Sequence, residues 1–330
     1  MKTLKVTLKQ HTPLIHFQHE QYGATLRASE VKPKLDKFIL ERLGDGNYER
    51  GILLAKNNQW LIGSGTHPAL NYKIRITVEQ EVDGMKLKII TRKDSQFTTE
   101  IFPLLLANMG GRSKRDDLVN FTMYQVTNLQ LTTACLSLYE KLKEEVPYFF
   151  AVTNFGQRSN LGYGSYTARI VDGQKINTLS DNPYYIPEGT LYMDFELEDI
   201  NYLECQRSIF KIIESFWSGL KKFFIKDSSE NGKLIRKYLK QNVDGIKVQR
   251  IPSPLIFKPI SYTNKSGEVK IAVYVLFNKE LLDIFSDKRV ITYVNNLMDE
   301  YLSSIIHPKF DNWRVNTGKD SKIDVQFYEQ

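Results

Sequence analysis

A chain of 330 residues with 42% hydrophobic and 25% charged residues holds enough apolar material for a packed core, in one large domain or two of ordinary size. That balance excludes a disordered or fibrous chain, and no apolar run is long enough to span a bilayer. A formal charge of +7 and a pI near 9.0 favour an anionic partner such as nucleic acid.

The amino terminus, Met1 to Thr7, alternates polar and apolar residues, which predicts a strand over residues 3–10 and not a signal peptide. His11, His16 and His19 cluster just after it, around a turn at Thr12-Pro13. Ser29 is placed to cap a helix with an apolar stripe of Leu35, Phe38, Ile39 and Leu40. Lys32-Pro33 falls in or near its permissive first turn, and Gly44 to Asn47 ends it. Alternating runs from Tyr72 to Glu81 and from Lys86 to Thr91 flank Val82-Asp83-Gly84 and predict a hairpin. Residues 98–108 read as a helix despite Pro103, followed by the glycine-basic stretch Gly110-Gly111-Arg112-Ser113-Lys114-Arg115. A strand over 118–129 and a helix over 131–145 come next, with Pro147 stopping the helix.

Between two strand-like runs, Tyr148 to Thr153 and Thr167 to Val171, lies a loop containing Gly156, Arg158, Gly162 and Gly164. Glycine at this density lets the backbone take positive φ and approach another chain closely. Successive N–H groups in such a turn can cradle an anion, and Arg158 adds a planar fork suited to phosphate oxygens. Tyr163 and Tyr166 are candidates to stack on bases. The alternative is a hairpin loop whose glycines serve turn geometry alone.

Residues 173–188 are polar and proline-containing, and a domain boundary is placed there, giving domains 1–180 and 181–330. A strand at 191–197 leads to a long helix that starts near Asp199 or Asn201 and runs through Phe224. From Lys221 to Arg250, nine Lys or Arg stand against three acids, with Lys233, Arg236, Lys237 and Lys240 close together on a helix face. Pro252 and Pro254 forbid a central ladder, so an edge or entry segment follows. Val269 to Phe277 is a strongly apolar strand, and Asp287 to Ile306 a last helix. The tail from Lys309 is polar and irregular, with a short strand at Val325 to Tyr328. This alternation fits an α+β fold: two ferredoxin-like units with antiparallel sheets and helices on one face.

Cys135 and Cys205 match no metal-ligand spacing and read as small buried hydrophobes in a reducing cytosol, so a cytoplasmic location is expected. His16-x-x-His19 followed by Glu20 suggests paired ligands, but no third and fourth stand out, and neither a metal nor a cofactor is expected.

The run from Phe155-Gly156-Gln157-Arg158 to Gly162-Tyr163-Gly164-Ser165 resembles the glycine-rich loop of the RAMP superfamily of CRISPR-associated proteins. Thr12-Pro13-Leu14, followed by Leu26-Arg27-Ala28-Ser29-Glu30-Val31-Lys32, resembles that family's entry to its first helix. Ser253-Pro254-Leu255 resembles a further short motif. Within the superfamily the chain is most similar to the first RAMP subunit of type III-B (Cmr) effector complexes. The resemblance implies RRM-like domains in a subunit that binds guide RNA, or guide with target RNA, beside other effector subunits in antiviral defence, without cleaving it. Arg27, Lys32, Arg112, Lys114, Arg115 and Arg158 would then contact phosphates. Phe155 and Tyr163 would stack on bases or support a flexible, projecting loop built on Gly156, Gly162 and Gly164.

Three bland readings stand beside these roles. Arg27 would pair with Glu30, Arg112 to Arg115 would be a solvated helix end partly neutralised by Asp116 and Asp117, and the histidines would be structural. The alternative function is a metal-independent, guide-processing endoribonuclease with His11, His16 or His19 as general acid or base. A third class is a scaffold that meets only protein neighbours.

Overall fold

The computed structural model describes residues 1–15, 25–63, 68–81, 86–88, 118–120, 123–176, 190–196, 210, 213, 242–243, 246–247, 255–263, 269–277, 289, 292, 296, 309–315 and 323–325. Backbone packing divides the chain into two units. The first comprises Met1–Lys86, Asn120–Gln157 and Tyr163–Tyr185; the second comprises Leu87–Val119, Arg158–Gly162 and Ile186–Gln330.

In chain order the elements of the first part are β1 (Lys2–Gln10), α1 (Ala28–Leu43), α2 (Tyr48–Asn57), β2 (Leu61–Ile62), β3 (Ala69–Leu70), β4 (Lys73–Glu81), β5 (Lys86–Lys88), β6 (Leu118–Asn120), β7 (Tyr124–Thr133), α3 (Leu136–Val152), a 3-10 turn at Ser159–Leu161, β8 (Tyr166–Val171) and β9 (Gln174–Lys175). The remainder contributes β10 (Thr190–Glu196), β11 (Asn242–Val243), β12 (Ile246–Lys247), β13 (Leu255–Thr263), β14 (Val269–Phe277), β15 (Lys309–Val315) and β16 (Ile323–Val325).

The first sheet runs β4-β7-β1-β8-β9, with every pair antiparallel. Its four main strands therefore stand in the order second, third, first, fourth. With α1 and α3 in the two crossovers, this is the ferredoxin-like arrangement. Alternation in β1 sends Leu4, Val6 and Leu8 to the helix side, against Leu129 and Leu131 of β7. Val31, Leu35, Ile39 and Leu40 of α1 and Leu138, Leu142, Val146, Phe149 and Phe150 of α3 close that core. The second sheet, β13-β14-β10-β15-β16, repeats the order, again antiparallel. Phe210 and Ile213 are helical between β10 and β13, and Arg289, Thr292 and Asn296 between β14 and β15. The α+β class with two ferredoxin-like units is thus present in both halves.

Several sequence-based expectations need correction. Arg27, not Ser29, is the N-cap of α1, and no side chain caps it; the Arg27 carbonyl accepts the N–H groups of Glu30 and Val31 at 3.0 Å each. Helix α2 was not anticipated, although Asn47 caps it by accepting the Arg50 N–H at 3.0 Å. Among the described residues, the two runs of the predicted hairpin do not pair with each other. β4 pairs with β7, where Ile74 and Ile76 meet Leu131 and Leu129, and β5 pairs with β6. β7 runs to Thr133, so α3 begins only at Leu136, and Pro147 lies inside it. A proline in a helix interior costs about 3 kcal/mol. Burying Val146, Phe149 and Phe150 on the same helix returns about 1.5–3 kcal/mol each, which wins and turns the expected strand at 148–153 into helix. In the tail, Lys309 to Val315 is strand β15, paired with β10. The expected helix at 98–108 lies outside the described residues.

Candidate nucleic-acid interface

Each amino-terminal motif meets the glycine loop by hydrogen bonds. The bridge between Asn154 and Ser165 closes the loop's base, and the Phe155 N–H donates to the Gly164 carbonyl at 3.0 Å. The Pro13 carbonyl accepts the Gly164 N–H at 2.8 Å, and the Ile15 carbonyl accepts the Gln157 N–H at 2.7 Å. Thr12 Oγ1 accepts the Ser165 N–H at 2.9 Å. From α1, Glu30 Oε1 accepts the Gly156 N–H at 2.7 Å, while Lys34 Nζ bonds Glu30 at 2.9 Å and the Asn154 carbonyl at 3.2 Å. The anion that the loop's amides were expected to cradle is therefore supplied, at Gly156, by the protein's own Glu30. Sequence reasoning missed this role, although Glu30 and Lys34 at i, i+4 were a readable ion-pair spacing.

The glycines are dictated by geometry. Gly164 has φ +63°, and a Cβ there would overlap the Phe155 carbonyl oxygen. Gly162, at φ +92°, would bring a Cβ within 2.8 Å of Pro259 Cγ. Residues Arg158–Gly162 pack as part of the second unit, where the 3-10 turn lies against β13. The tip thus does not project; Gly162 is buried and Arg158 half-buried. Arg158 itself is left-handed, at φ 53° and ψ 26°, a conformation that a non-glycine residue adopts at some cost. On β13, the neighbouring Lys258 is fully buried, and burial pulls its ammonium well below the ordinary lysine value.

The aromatics of the loop face inward. Phe155 is 0% exposed and Tyr163 2%. Phe155 sits among Phe149, Phe150 and Tyr166 with ring centroids 5.8, 5.6 and 6.0 Å away. Burial, followed by the negative charge of Glu30, holds the Tyr166 phenol well above its usual value, so it stays neutral. Of the two roles expected for Phe155 and Tyr163, burial allows support of the loop and not stacking on a base; the same holds for Tyr166.

The remaining candidates divide. Arg27 is exposed, and no ion pair engages it among the described residues; Glu30 pairs with Lys34 instead. Lys32 is committed internally. Its ammonium bonds Asp36 at 2.9 Å and the Leu70 carbonyl at 2.9 Å, and it stands 3.9 Å from the centroid of the Tyr72 ring. A phosphate would have to compete with these contacts for the same ammonium. His11 is 2% exposed, with Nε2 2.7 Å from Thr167 Oγ1, a structural setting. Arg112, Lys114, Arg115, His16 and His19 lie outside the described residues. Among the described residues, no group of three His, Cys, Asp or Glu could hold a metal ion, and no helix is long and apolar enough to cross a membrane.

A family model described as the Cmr1 N-terminal domain matches residues 1–222. No curated protein matches. Among solved structures, the crystal structure of Cmr1 from Pyrococcus furiosus in its apo form is similar at 12% sequence identity, covering 94% of this chain and 98% of that one, with a TM-score of 0.42.

Proposed function

The chain belongs to the Cmr1 N-terminal domain family, the RAMP proteins of type III-B CRISPR effectors, and we propose that within such a complex it binds guide RNA, or guide paired with target, without cleaving it. The observation that carries this reading is the family match across residues 1–222, which takes in the whole glycine loop and both motifs bonded to it. A net charge of +7 supports it, because affinity for a phosphate backbone comes mainly from cations. Arg158 and Arg27 are the phosphate ligands proposed among the described residues, joined by Arg112, Lys114 and Arg115. Gly156, Gly162 and Gly164 shape the loop that carries Arg158, and Phe155 and Tyr163 support it. The proposed domains are 1–180 and 181–330, with the loop in the first by sequence although its tip, Arg158–Gly162, packs with the second unit. Other effector subunits are its protein neighbours, and the cytoplasm is where it works.

The test is binding of labelled single-stranded RNA by the full chain across a salt series. Arg158→Glu is expected to weaken binding and to reduce the slope of log affinity against log salt by about 0.7, one phosphate contact's share on a single strand. Unchanged affinity and slope would make the loop purely structural. The same protein incubated with labelled repeat RNA should leave it intact. Metal-independent cleavage that disappears in His16→Ala would overturn the non-cleaving assignment in favour of the endoribonuclease.

A further inference from the structure

The helices cover one side of the first sheet; the other side is exposed and cationic. Strand alternation puts Thr3, Lys5, Thr7 and Lys9 of β1 on it, opposite the buried Leu4, Val6 and Leu8. The register lines these residues up in rungs across three strands: Lys73–Thr132–Thr3, Arg75–Gln130–Lys5 and Thr77–Asn128–Thr7. Every residue of these rungs is polar or charged. The row then continues onto β8 and β9. Lys9 pairs with Thr167, the exposed Arg169 sits at the bulge close enough to act on Lys9 by its charge, and the exposed Lys175 pairs with Ile170.

Lys5, Lys73, Arg75, Arg169 and Lys175 are exposed, and none of them forms an ion pair among the described residues. β4 continues at the rim with Glu79, which is engaged by Asn128 Nδ2 at 2.7 Å, and ends at Glu81. Cations on neighbouring strands are about 4.8 Å apart per strand crossed, and residues two apart along a strand about 6.8 Å. Placing several like charges this close on one open face opposes folding, and it raises the local concentration of anions.

We propose that this open face of the first sheet, from Lys73 and Arg75 through Lys5 to Lys9 and Arg169, is a second RNA-binding surface that holds the sugar-phosphate backbone of a single strand without regard to base sequence. The proposal deepens the RNA-binding reading above and rests on it. The chemistry selects a phosphate backbone over the alternatives. An RRM-type sheet stacks bases on aromatic rings; the three rungs carry none, and Tyr124 lies at the far end of β7, half-buried. A protein partner needs apolar anchors in the centre of its contact; here the described apolar residues, Val126 and Ile170, are half-buried and lie outside the three rungs. Ammonium and guanidinium groups interleaved with threonine, asparagine and glutamine suit phosphate and ribose oxygens.

The experiment uses the full chain with fluorescein-labelled 20-mers of oligouridine and oligoadenine, measured by anisotropy from low to moderate salt. Lys5→Glu/Arg75→Glu should lower affinity about tenfold or more for both oligomers and reduce the salt slope by about 1.4, two phosphate contacts' share. Lys5→Gln/Arg75→Gln, which removes charge without adding any, should give a smaller loss in the same direction. Both pairs are exposed, and circular dichroism should match wild type. Arg158→Glu separates the two readings. If wild type fails to bind RNA at all, the parent reading falls. If wild type binds and Arg158→Glu weakens it while both sheet variants bind like wild type, only the sheet proposal falls. Sheet variants that keep RNA affinity but fail to assemble with the other effector subunits would reassign the face to protein contact and overturn the proposal. A loss confined to one of the two oligomers would overturn its independence of sequence.

Discussion

At Glu30 a single carboxylate joins a helix to a loop: it takes the Gly156 N–H at 2.7 Å and the Lys34 ammonium at 2.9 Å. Hydrogen bonds to a charged group contribute about 1.5–3 kcal/mol, and partial exposure lowers that figure here. Glu30→Gln, which keeps the shape and removes the charge, should therefore destabilise the protein by about 1 kcal/mol, seen as a lower urea midpoint with an unchanged m-value. An unchanged midpoint would mean that the latch adds nothing. Lys9 gives a prediction with a pH sign. Burial first, and then the charge of Arg169, pull its folded-state pKa down to about 8. Below pH 8 the folded protein carries a charge that its surroundings oppose, and that cost fades as pH rises from 8 towards the unfolded value of about 10.4. Lys9→Met removes the cost. The stability difference, variant minus wild type, should be most favourable at pH 7 and shrink steadily by pH 9.5, as read by thermal melts of the two proteins side by side. A pH-independent difference would remove Lys9 from this role. At this scale the glycines that the loop's backbone requires were legible by residue type. The sequence could not reveal that Lys32 is spent on Asp36, Leu70 and Tyr72, because those partners come from a helix, a short strand and the residue after it, brought together only by folding.

Among the elements, α3 and the loop that follows it form one packing unit. Phe149 and Phe150 come from the end of the helix, Phe155 from the loop and Tyr166 from β8, so the loop's path is fixed from inside by ring contacts. Phe155→Ala should cost about 3–5 kcal/mol, whereas Phe155→Leu, closer in volume, should cost under about 1.5 kcal/mol. If Phe155 is a support and not a stacking platform, the folded Phe155→Leu protein should bind RNA within about twofold of wild type, far less than the stacking loss of 1–3 kcal/mol per base. A larger loss at full foldedness would return Phe155 to the interface. β14 and most of β1, β8 and β10 were legible from apolar runs and alternation. The end of α3 was not, because Pro147 is a strong local stop signal and the burial that overrides it depends on residues from other elements. The same applies to the supposed hairpin. Its turn residues were locally persuasive, but the pairing that forms sets Ile74 and Ile76 of β4 against Leu131 and Leu129 of β7.

For the molecule as a whole, two sheets of the same strand order imply that the chain contains one structural idea twice, with a small extra strand added beside the fourth strand each time. The alternation of helices and strands made this class readable. The pairing order was not readable, because it depends on contacts between residues far apart in sequence, such as Lys2 with Thr133. Duplicated scaffolds need not carry duplicated surfaces, and under the proposed function it is charge that would select the face for RNA. If Lys5, Lys9, Lys73, Arg75 and Arg169 of the first sheet each meet a phosphate, five are neutralised at once. The salt slope of wild-type binding to a single strand should then reach about −3.5 or steeper, at 0.7 per contact. Arg158→Glu combined with Lys5→Glu/Arg75→Glu should lower it by the sum of the separate changes, since the substituted residues lie on different elements. A wild-type slope near −1 would confine RNA to a single contact, and the proposal of a strand held along the sheet would fail with it.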